Sequence, residues 1–333
     1  MNLMKHILTL ISFFIFLSVN ITGQTLNRPV IIIHGGAGTI ERHLLTDSLD
    51  NVIRAALQDA LNTGYAVLDN GGTAVDAVEA TILVLENCPE FNAGIGAVMT
   101  EAGTHELDAS IMDGSDLNAG AVAGVRTVKS PIRAARTVMY RSPHVMLAGD
   151  GAEEFAKQQG LEIVNNSYFT TPGIQQRWQQ SNNGKGSTEP KSKFSKFGTV
   201  GCVALDMDGN IAAGTSTGGM MNKKYGRIGD SPIIGAGTYA DNETCGVSCT
   251  GHGEYFIRVG VAKEISDQMK FGNKTLIEAA EYTVMEHLGG MNGQGGIIAI
   301  DKDGNFEFVF NTPGMYRGFK NASGEKVMIY GDE

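Results

Sequence analysis

Apolar positions along this chain fall into short β-rich runs and helical stripes, separated by glycine-rich turns. Val30 to Ile33 is a β-branched run closed by His34-Gly-Gly-Ala-Gly38, which predicts a buried strand entering a glycine turn. From Val52 to Leu68 apolar side chains recur at helical spacing, and Gly71-Gly72 follow as a stop. Thr73 is placed to cap a second helix, Ala74 to Glu86, since its hydroxyl can accept from a free N–H of the first turn. A glycine-rich loop, Cys88 to Ala97, comes next, and Thr104 to Met112 and Ala119 to Val128 read as strands. Ser130-Pro131 opens a helix with proline at its first position, and Asp150 to Gln159 is a further short helix.

The pattern then changes. Ser181 to Ser195 has almost nothing to bury and reads as a flexible linker, about residues 179–196. Val200 to Leu205 and Ile211 to Ala213 flank the turn Asp206-Met-Asp-Gly209, a hairpin. A similar hairpin closes the chain: Ile297 to Ile300, Asp301-Lys-Asp-Gly304, Phe306 to Phe310. The two turns nearly repeat, and helical stripes at Glu254 to Met269 and Leu276 to Leu288 lie between them. Strands, helices and strands again predict an α+β protein with an antiparallel sheet core, the order of its layers left open by periodicity.

Composition narrows the class. With 42% hydrophobic and 19% charged residues the 333-residue chain can bury a core. Net charge is -10 and no basic stripe is visible, which argues against a nucleic-acid partner; the Lys185 to Lys196 stretch reads as a solvated loop. At the N-terminus Lys5 and His6 precede the apolar run Ile7 to Val19. Its thirteen residues are short for a membrane span and fit a signal peptide over 1–23, which predicts an exported protein, periplasmic or secreted, with no membrane association after its removal. The four cysteines match no zinc spacing; Cys88 and Cys202 read as buried thiols, and export would permit a Cys245–Cys249 bridge.

Candidate chemistry starts at Phe197-Gly198-Thr199-Val200-Gly201, where the linker delivers the chain to a Gly-Thr bond and a buried strand begins. A threonine hydroxyl is a poor nucleophile until a base takes its proton. Cleavage before Thr199 would free an α-amine with a pKa of about 7.7–8.0, placing nucleophile and base on one residue. Gly198 permits the strained backbone that a self-cleaving turn needs.

Several further segments stand in order: Gly214-Thr-Ser-Thr-Gly-Gly219, Arg227-Ile-Gly-Asp-Ser-Pro232, Ser248-Cys-Thr-Gly-His-Gly-Glu254, Phe91-Asn-Ala-Gly-Ile-Gly96 and Phe310-Asn-Thr-Pro-Gly-Met-Tyr316. Together with His34 to Gly38 they resemble the plant-type L-asparaginase / isoaspartyl peptidase family from about Val30 to Phe319. The resemblance implies a four-layer αββα sandwich, cut into an α subunit (24–198) and a β subunit (199–333) that together form one domain. It implies an autocleaved threonine hydrolase of L-asparagine and β-aspartyl peptides. Thr199 would be nucleophile and base, Thr217 its orienting neighbour and an aid to self-cleavage. The Thr250 hydroxyl and Gly251 amide would form the oxyanion hole. Arg227 would hold the substrate α-carboxylate and Asp230 its α-ammonium, with Gly253 and Asn92 supporting the site. No cofactor is implied for catalysis. A structural sodium ion would sit on backbone carbonyls of Leu85, Glu86, Cys88, Phe91, Ala93 and Ile95. The resemblance further implies an (αβ)₂ homodimer.

Three rivals compete. Gly214-Thr-Ser216-Thr-Gly218 fits a nucleophile elbow, with His34-Gly-Gly as its oxyanion segment and Asp230 or Asp241 and His252 or His287 completing a triad, but no helix follows it. Glycosylasparaginase, which cleaves the sugar–asparagine bond, differs at the cleavage site, where this chain has Phe-Gly-Thr199, and in lacking a tryptophan near the mature N-terminus; the only one here is Trp178. A non-catalytic binding protein must explain why every reactive position is filled by a competent residue.

Overall fold

The computed structural model describes residues 29–183 and 198–333. The N-terminal apolar run and nearly all of the linker, with its lysine-rich stretch, lie outside the described residues. Twelve strands and eight α-helices are described. The strands are β1 (Val30–Gly38), β2 (Leu107–Asp113), β3 (Ala119–Val125), β4 (Met146–Ala148), β5 (Val200–Leu205), β6 (Ile211–Thr217), β7 (Thr238–Ala240), β8 (Cys245–Gly251), β9 (Gly295–Asp301), β10 (Phe306–Phe310), β11 (Gly314–Asn321) and β12 (Gly324–Tyr330). The helices are α1 (Asp47–Asp69), α2 (Ala74–Glu86), α3 (Pro131–Arg141), α4 (Gly149–Gln158), α5 (Pro172–Asn183), α6 (Gly253–Val259), α7 (Val261–Gly272) and α8 (Leu276–Glu281).

Eight strands form one sheet in the order β12-β11-β1-β5-β6-β2-β3-β4, antiparallel except for β3–β4. Four form a second, β10-β9-β8-β7. The alternation in β1 shows how they stack. Ile31 and Ile33 point into the core shared with α1 and α2, whereas Val30 and Ile32 point into the core shared with the second sheet. All three isoleucines of β1 are fully buried, each contributing roughly 1.5–3 kcal/mol. Helices α7 and α8 cover the far face of the small sheet. The result is the αββα sandwich that the resemblance implies.

Local chemistry set most boundaries as read. The Thr73 hydroxyl caps α2 through the Asp76 N–H, and Pro131 opens α3. The turn residues Asp206 and Asp301 each fold back on their own hairpin: Asp206 Oδ1 accepts from the N–H of Asp208 and Asn210, and Asp301 Oδ1 from those of Asp303 and Asn305. Several expectations need correction. The β1 strand runs on through the glycines to Gly38, with a bulge between His34 and Gly36 on its β11 side. The expected helix 254–269 is broken at Gly260, whose φ of 71° is left-handed. The last hairpin read from sequence is followed by another, β11–β12, which joins the large sheet. Helix α5 extends into the expected linker as far as Asn183. Cys88 is only half-buried, and Cys202, Cys245 and Cys249 are buried free thiols. Cys245 and Cys249 lie on one strand, about 13 Å apart at ~3.3 Å per residue, too far for a bridge. Among the described residues no helix is long and apolar enough to cross a membrane.

Candidate active site

The β5–β6 hairpin brings the candidate threonines together. Val200 pairs with Ser216, so Thr199 and Thr217 meet at the open end of the ladder. The Thr199 hydroxyl donates to Thr217 Oγ1 at 3.1 Å, and both residues are buried. The carbonyl of Gly198, on the bond joining it to Thr199, receives two donors: Asn92 Nδ2 at 2.7 Å and Thr217 Oγ1 at 3.2 Å. Asn92 is itself fixed. Its Nδ2 also donates to the Gly219 carbonyl, and its Oδ1 accepts from the Val98 N–H. A Cβ on Gly218 would lie 2.6 Å from that Oδ1, so only glycine permits the close approach. Two donors on one carbonyl oxygen can stabilise negative charge developing there, and a buried hydroxyl lies on the next residue to attack it.

The opposite wall is charged. Arg227 binds Glu254 at two points, Nε to Oε1 at 2.9 Å and Nη2 to Oε2 at 2.8 Å. This hydrogen bond holds the Glu254 carboxyl below its ordinary range. Three of the five guanidinium N–H groups remain for another partner. Asp230 is buried nearby, and burial raises its pKa from 3.8 to about 7. Gly253 explains itself sterically: a Cβ there would lie 2.8 Å from Arg227 Nη2 and 2.9 Å from Asp230 Oδ1.

These groups share one cleft. Gly198, Thr199, Thr217, Gly219, Met220, Arg227, Gly229, Asp230, Ser231 and Gly251 line it. Within this uncut chain it holds only about 20 Å³. Thr250 Oγ1 and Asp230 Oδ2 are buried without a hydrogen-bond partner, an arrangement typical of groups that meet a ligand. The structure thus brings together Gly198, Thr199, Thr217, Arg227, Asp230, Gly251, Gly253 and Asn92, with Thr250 next in chain to Gly251 on β8. Sequence reading missed Glu254 as the partner of Arg227, although it closes a segment that stood out, and it missed the contact of the His34 ring with Thr199, having placed His34 in a turn, in the family segment and in the rejected elbow's oxyanion segment.

The nucleophile-elbow reading fails on position. Ser216 lies inside β6, fully buried, and donates to Glu86 Oε1 at 2.7 Å. His252 packs beside Tyr255, with ring centroids 5.5 Å apart.

The loop expected to hold sodium curls tightly. A Cβ on Gly94 would lie 2.2 Å from the Glu86 carbonyl oxygen, and one on Gly96 2.8 Å from that of Phe91. The carbonyls of Leu85, Glu86 and Cys88 already accept from the N–H groups of Cys88, Ile95 and Phe91. No cluster of three or more His, Cys, Asp or Glu suited to a metal occurs among the described residues.

Comparison with known proteins agrees with this geometry. Residues 27–329 match the family described as Asparaginase. The isoaspartyl peptidase of Escherichia coli is 50% identical over 307 residues, covering 89% of this chain and 94% of that protein. The isoaspartyl peptidase of Salmonella typhimurium is 48% identical, covering 89% and 96%. The human isoaspartyl peptidase/L-asparaginase is 42% identical, covering 86% and 92%. The relatives correct one expectation. The apolar run that suggested a signal peptide and an exported protein lies outside the matched region. The reading of a periplasmic or secreted protein therefore does not stand. Fold, cleft and relatives agree that the chain belongs to the asparaginase family of N-terminal-nucleophile hydrolases.

Proposed function

We propose that the chain cuts itself between Gly198 and Thr199, and that the freed Thr199 hydrolyses β-aspartyl amide bonds in L-asparagine and β-aspartyl peptides, releasing L-aspartate. The observation that carries this is the pair of donors, Asn92 and Thr217, on the Gly198 carbonyl, with the Thr199 hydroxyl beside them. In the cut, the Thr199 hydroxyl attacks that carbonyl and the acyl group moves from nitrogen to oxygen. Water then hydrolyses the ester, leaving Gly198 as a C-terminus and Thr199 with a free amine. Because Gly198 walls the small cleft, cleavage also makes room for a substrate.

In turnover the amine of Thr199 takes the hydroxyl proton, and Oγ1 attacks the substrate's side-chain carbonyl. The Thr250 hydroxyl and Gly251 N–H stabilise the oxyanion. The proton passes to the leaving group, ammonia or the amine of the next residue. Water, deprotonated by the same amine, then releases aspartate. The free Nη1 and Nη2 hydrogens of Arg227 receive the substrate α-carboxylate, and Asp230 receives its α-ammonium. Of the sodium-loop carbonyls, those of Phe91, Ala93 and Ile95, with a second lone pair on Glu86, offer the hard oxygen donors a sodium ion takes; the ion would brace the loop that carries Asn92. The mature molecule is an α subunit ending at Gly198 and a β subunit beginning at Thr199, paired as an (αβ)₂ dimer.

Intact mass and N-terminal sequencing of the purified protein under denaturing conditions test the reading. Two fragments are expected, the shorter beginning Thr-Val-Gly-Cys. A single chain that persists through long incubation would overturn it. Release of N-acetylglucosaminyl-amine and aspartate from N-acetylglucosaminyl-asparagine, with L-asparagine and β-aspartyl peptides left uncut, would move the substrate to glycosylasparagine.

A further inference from the structure

His34 lies on β1, fully buried, and touches the cleft only through the backbone. Its Nδ1 is 2.9 Å from the carbonyl oxygen of Thr199, and its Nε2 is 2.9 Å from Ser248 Oγ. From Ser248 a line of buried hydroxyls runs between the sheets. Ser248 Oγ is 2.7 Å from Thr215 Oγ1, which is 2.6 Å from Thr238 Oγ1, which is 2.8 Å from Ser110 Oγ. Ser110 also reaches the carbonyl of Ser231, the neighbour of Asp230, at 2.6 Å. All four hydroxyl residues are fully buried.

Donor arithmetic gives this line a direction. A carbonyl oxygen only accepts, so Nδ1 of His34 carries a proton. A neutral ring has one N–H, so Nε2 is an acceptor and Ser248 must donate to it. The Ser248 proton is then spent, and Thr215 donates to Ser248. Thr238 donates to Thr215 in turn, while Ser110 spends its one proton on its nearest acceptor, the Ser231 carbonyl at 2.6 Å. The competing acceptors, the carbonyls of Gly214 and Gly237, lie farther off, at 3.1 Å from Ser248 and 3.0 Å from Thr215. Burial keeps the ring neutral, lowering its pKa to about 3. The contact is built for: a Cβ on Gly201 would stand 2.2 Å from His34 Nε2 and 2.0 Å from Ser248 Oγ.

We propose that this one-way chain of hydroxyls, Thr238 to Thr215 to Ser248, holds His34 with its proton on Nδ1, and that the ring in this form positions Thr199 by gripping its carbonyl. The need for such a grip follows from the cut. Before cleavage Thr199 is held on both sides, on one of them through the Gly198 carbonyl. After cleavage its only covalent tether is its own carbonyl carbon. Rotation about the bond to that carbon swings the amine and the hydroxyl together. The paired ladder of β1 and β5 ends at His34 and Gly201, so the Thr199 carbonyl lies just beyond it. The imidazole supplies the hydrogen bond that the sheet does not.

The kinetic part of this inference rests on Thr199 as nucleophile; the tautomer does not. The test is a long-range ¹H–¹⁵N spectrum of histidine-labelled mature protein at pH 7, with His34 assigned by its loss in His34→Gln. A neutral, Nδ1-protonated ring is expected; an Nε2-protonated ring or an imidazolium overturns the proposal. Kinetics of two variants follow. An asparagine amide reproduces Nδ1 and can still donate to Thr199, whereas a glutamine amide reproduces Nε2 and reaches only Ser248. His34→Asn is expected to keep kcat at least ~10-fold above that of His34→Gln at a similar KM, as expected for a misplaced nucleophile. Equal kcat, or a loss confined to KM, overturns the positioning role. If either variant fails to fold, Ser248→Ala serves instead, with kcat lowered about 5-fold at unchanged KM expected and unchanged kcat overturning. Turnover by Thr199→Ala would remove the nucleophile assignment while leaving the tautomer result to stand or fall alone.

Discussion

Asn92 Nδ2 lies 2.7 Å from the Gly198 carbonyl oxygen and 2.8 Å from that of Gly219, so one amide group ties the Gly198–Thr199 bond to the segment that leaves β6. The first of those bonds is the one that strengthens as charge develops on the carbonyl. Replacing Asn92 by Ala is expected to slow self-cleavage by roughly 10²–10³-fold, the loss typical of one oxyanion donor. The rate of fragment appearance after purification measures this. Cleavage at the parent rate would assign the asparagine to packing alone.

Thr199→Ala removes the attacking hydroxyl and little else. One uncut, inactive chain is expected by mass spectrometry and by aspartate release. A cut or active variant sinks the nucleophile assignment.

Arg227 acts on a different step. It faces the cleft but has no hydrogen bond to Gly198 or Thr199, its two bonds going to Glu254. Arg227→Ala should lower kcat/KM by at least about 100-fold, equivalent to about 2.7 kcal/mol, while self-cleavage stays within a few-fold of the parent. Comparing the two rates on one preparation decides it. Equal loss of both would count against a substrate role.

Asp230 gives the enzyme a pH response whose sign can be worked out. Burial raises its pKa from 3.8 to about 7 in the free protein. A substrate ammonium favours the ionised form, so a proton must leave before binding. KM is therefore expected to rise as pH falls below about 7, while protonation of the Thr199 amine lowers kcat. For stability the sign is opposite to that of a salt-bridged acid. Between pH 3.8 and about 7 the native state holds a proton that the unfolded chain has lost, so stability falls as pH rises through that window. In the uncut Thr199→Ala background, Asp230→Asn should abolish this slope, worth roughly 3 kcal/mol between pH 5 and pH 7. Urea unfolding at pH 5 and pH 8 reads it, and identical slopes in both proteins would show that the carboxyl is not buried as described.

Much of the fold was legible because its signals are local. Thr73, Pro131 and the Asp206 turn act within a few residues of themselves, and their elements lie where read. Strands such as β7 and β8 were not legible, because Thr238 to Ala240 and Cys245 to Gly251 are stretches of small and polar residues that only the neighbouring sheet buries. The site was readable as a set of ordered motifs, each on its matching position. Its wiring was not. No spacing tells that Ser110, Thr215, Thr238 and Ser248, on four different strands, form one line, or that Glu254 occupies two of the N–H groups of Arg227. Those are facts of register between distant strands, and register is decided by the whole sheet.

The Asp206 turn has a reach beyond its own loop. Thr199 stands seven residues before Asp206 and Thr217 seven after Asn210, so the hairpin's two arms are of equal length. Because side chains alternate faces, adding or removing one residue at the tip would turn one arm over with respect to the other. The meeting of two hydroxyls at one end of the hairpin is thus gauged by an aspartate at the opposite end. An insertion between Asp206 and Asn210, remote from the cleft, would behave like a lesion of Thr199 itself.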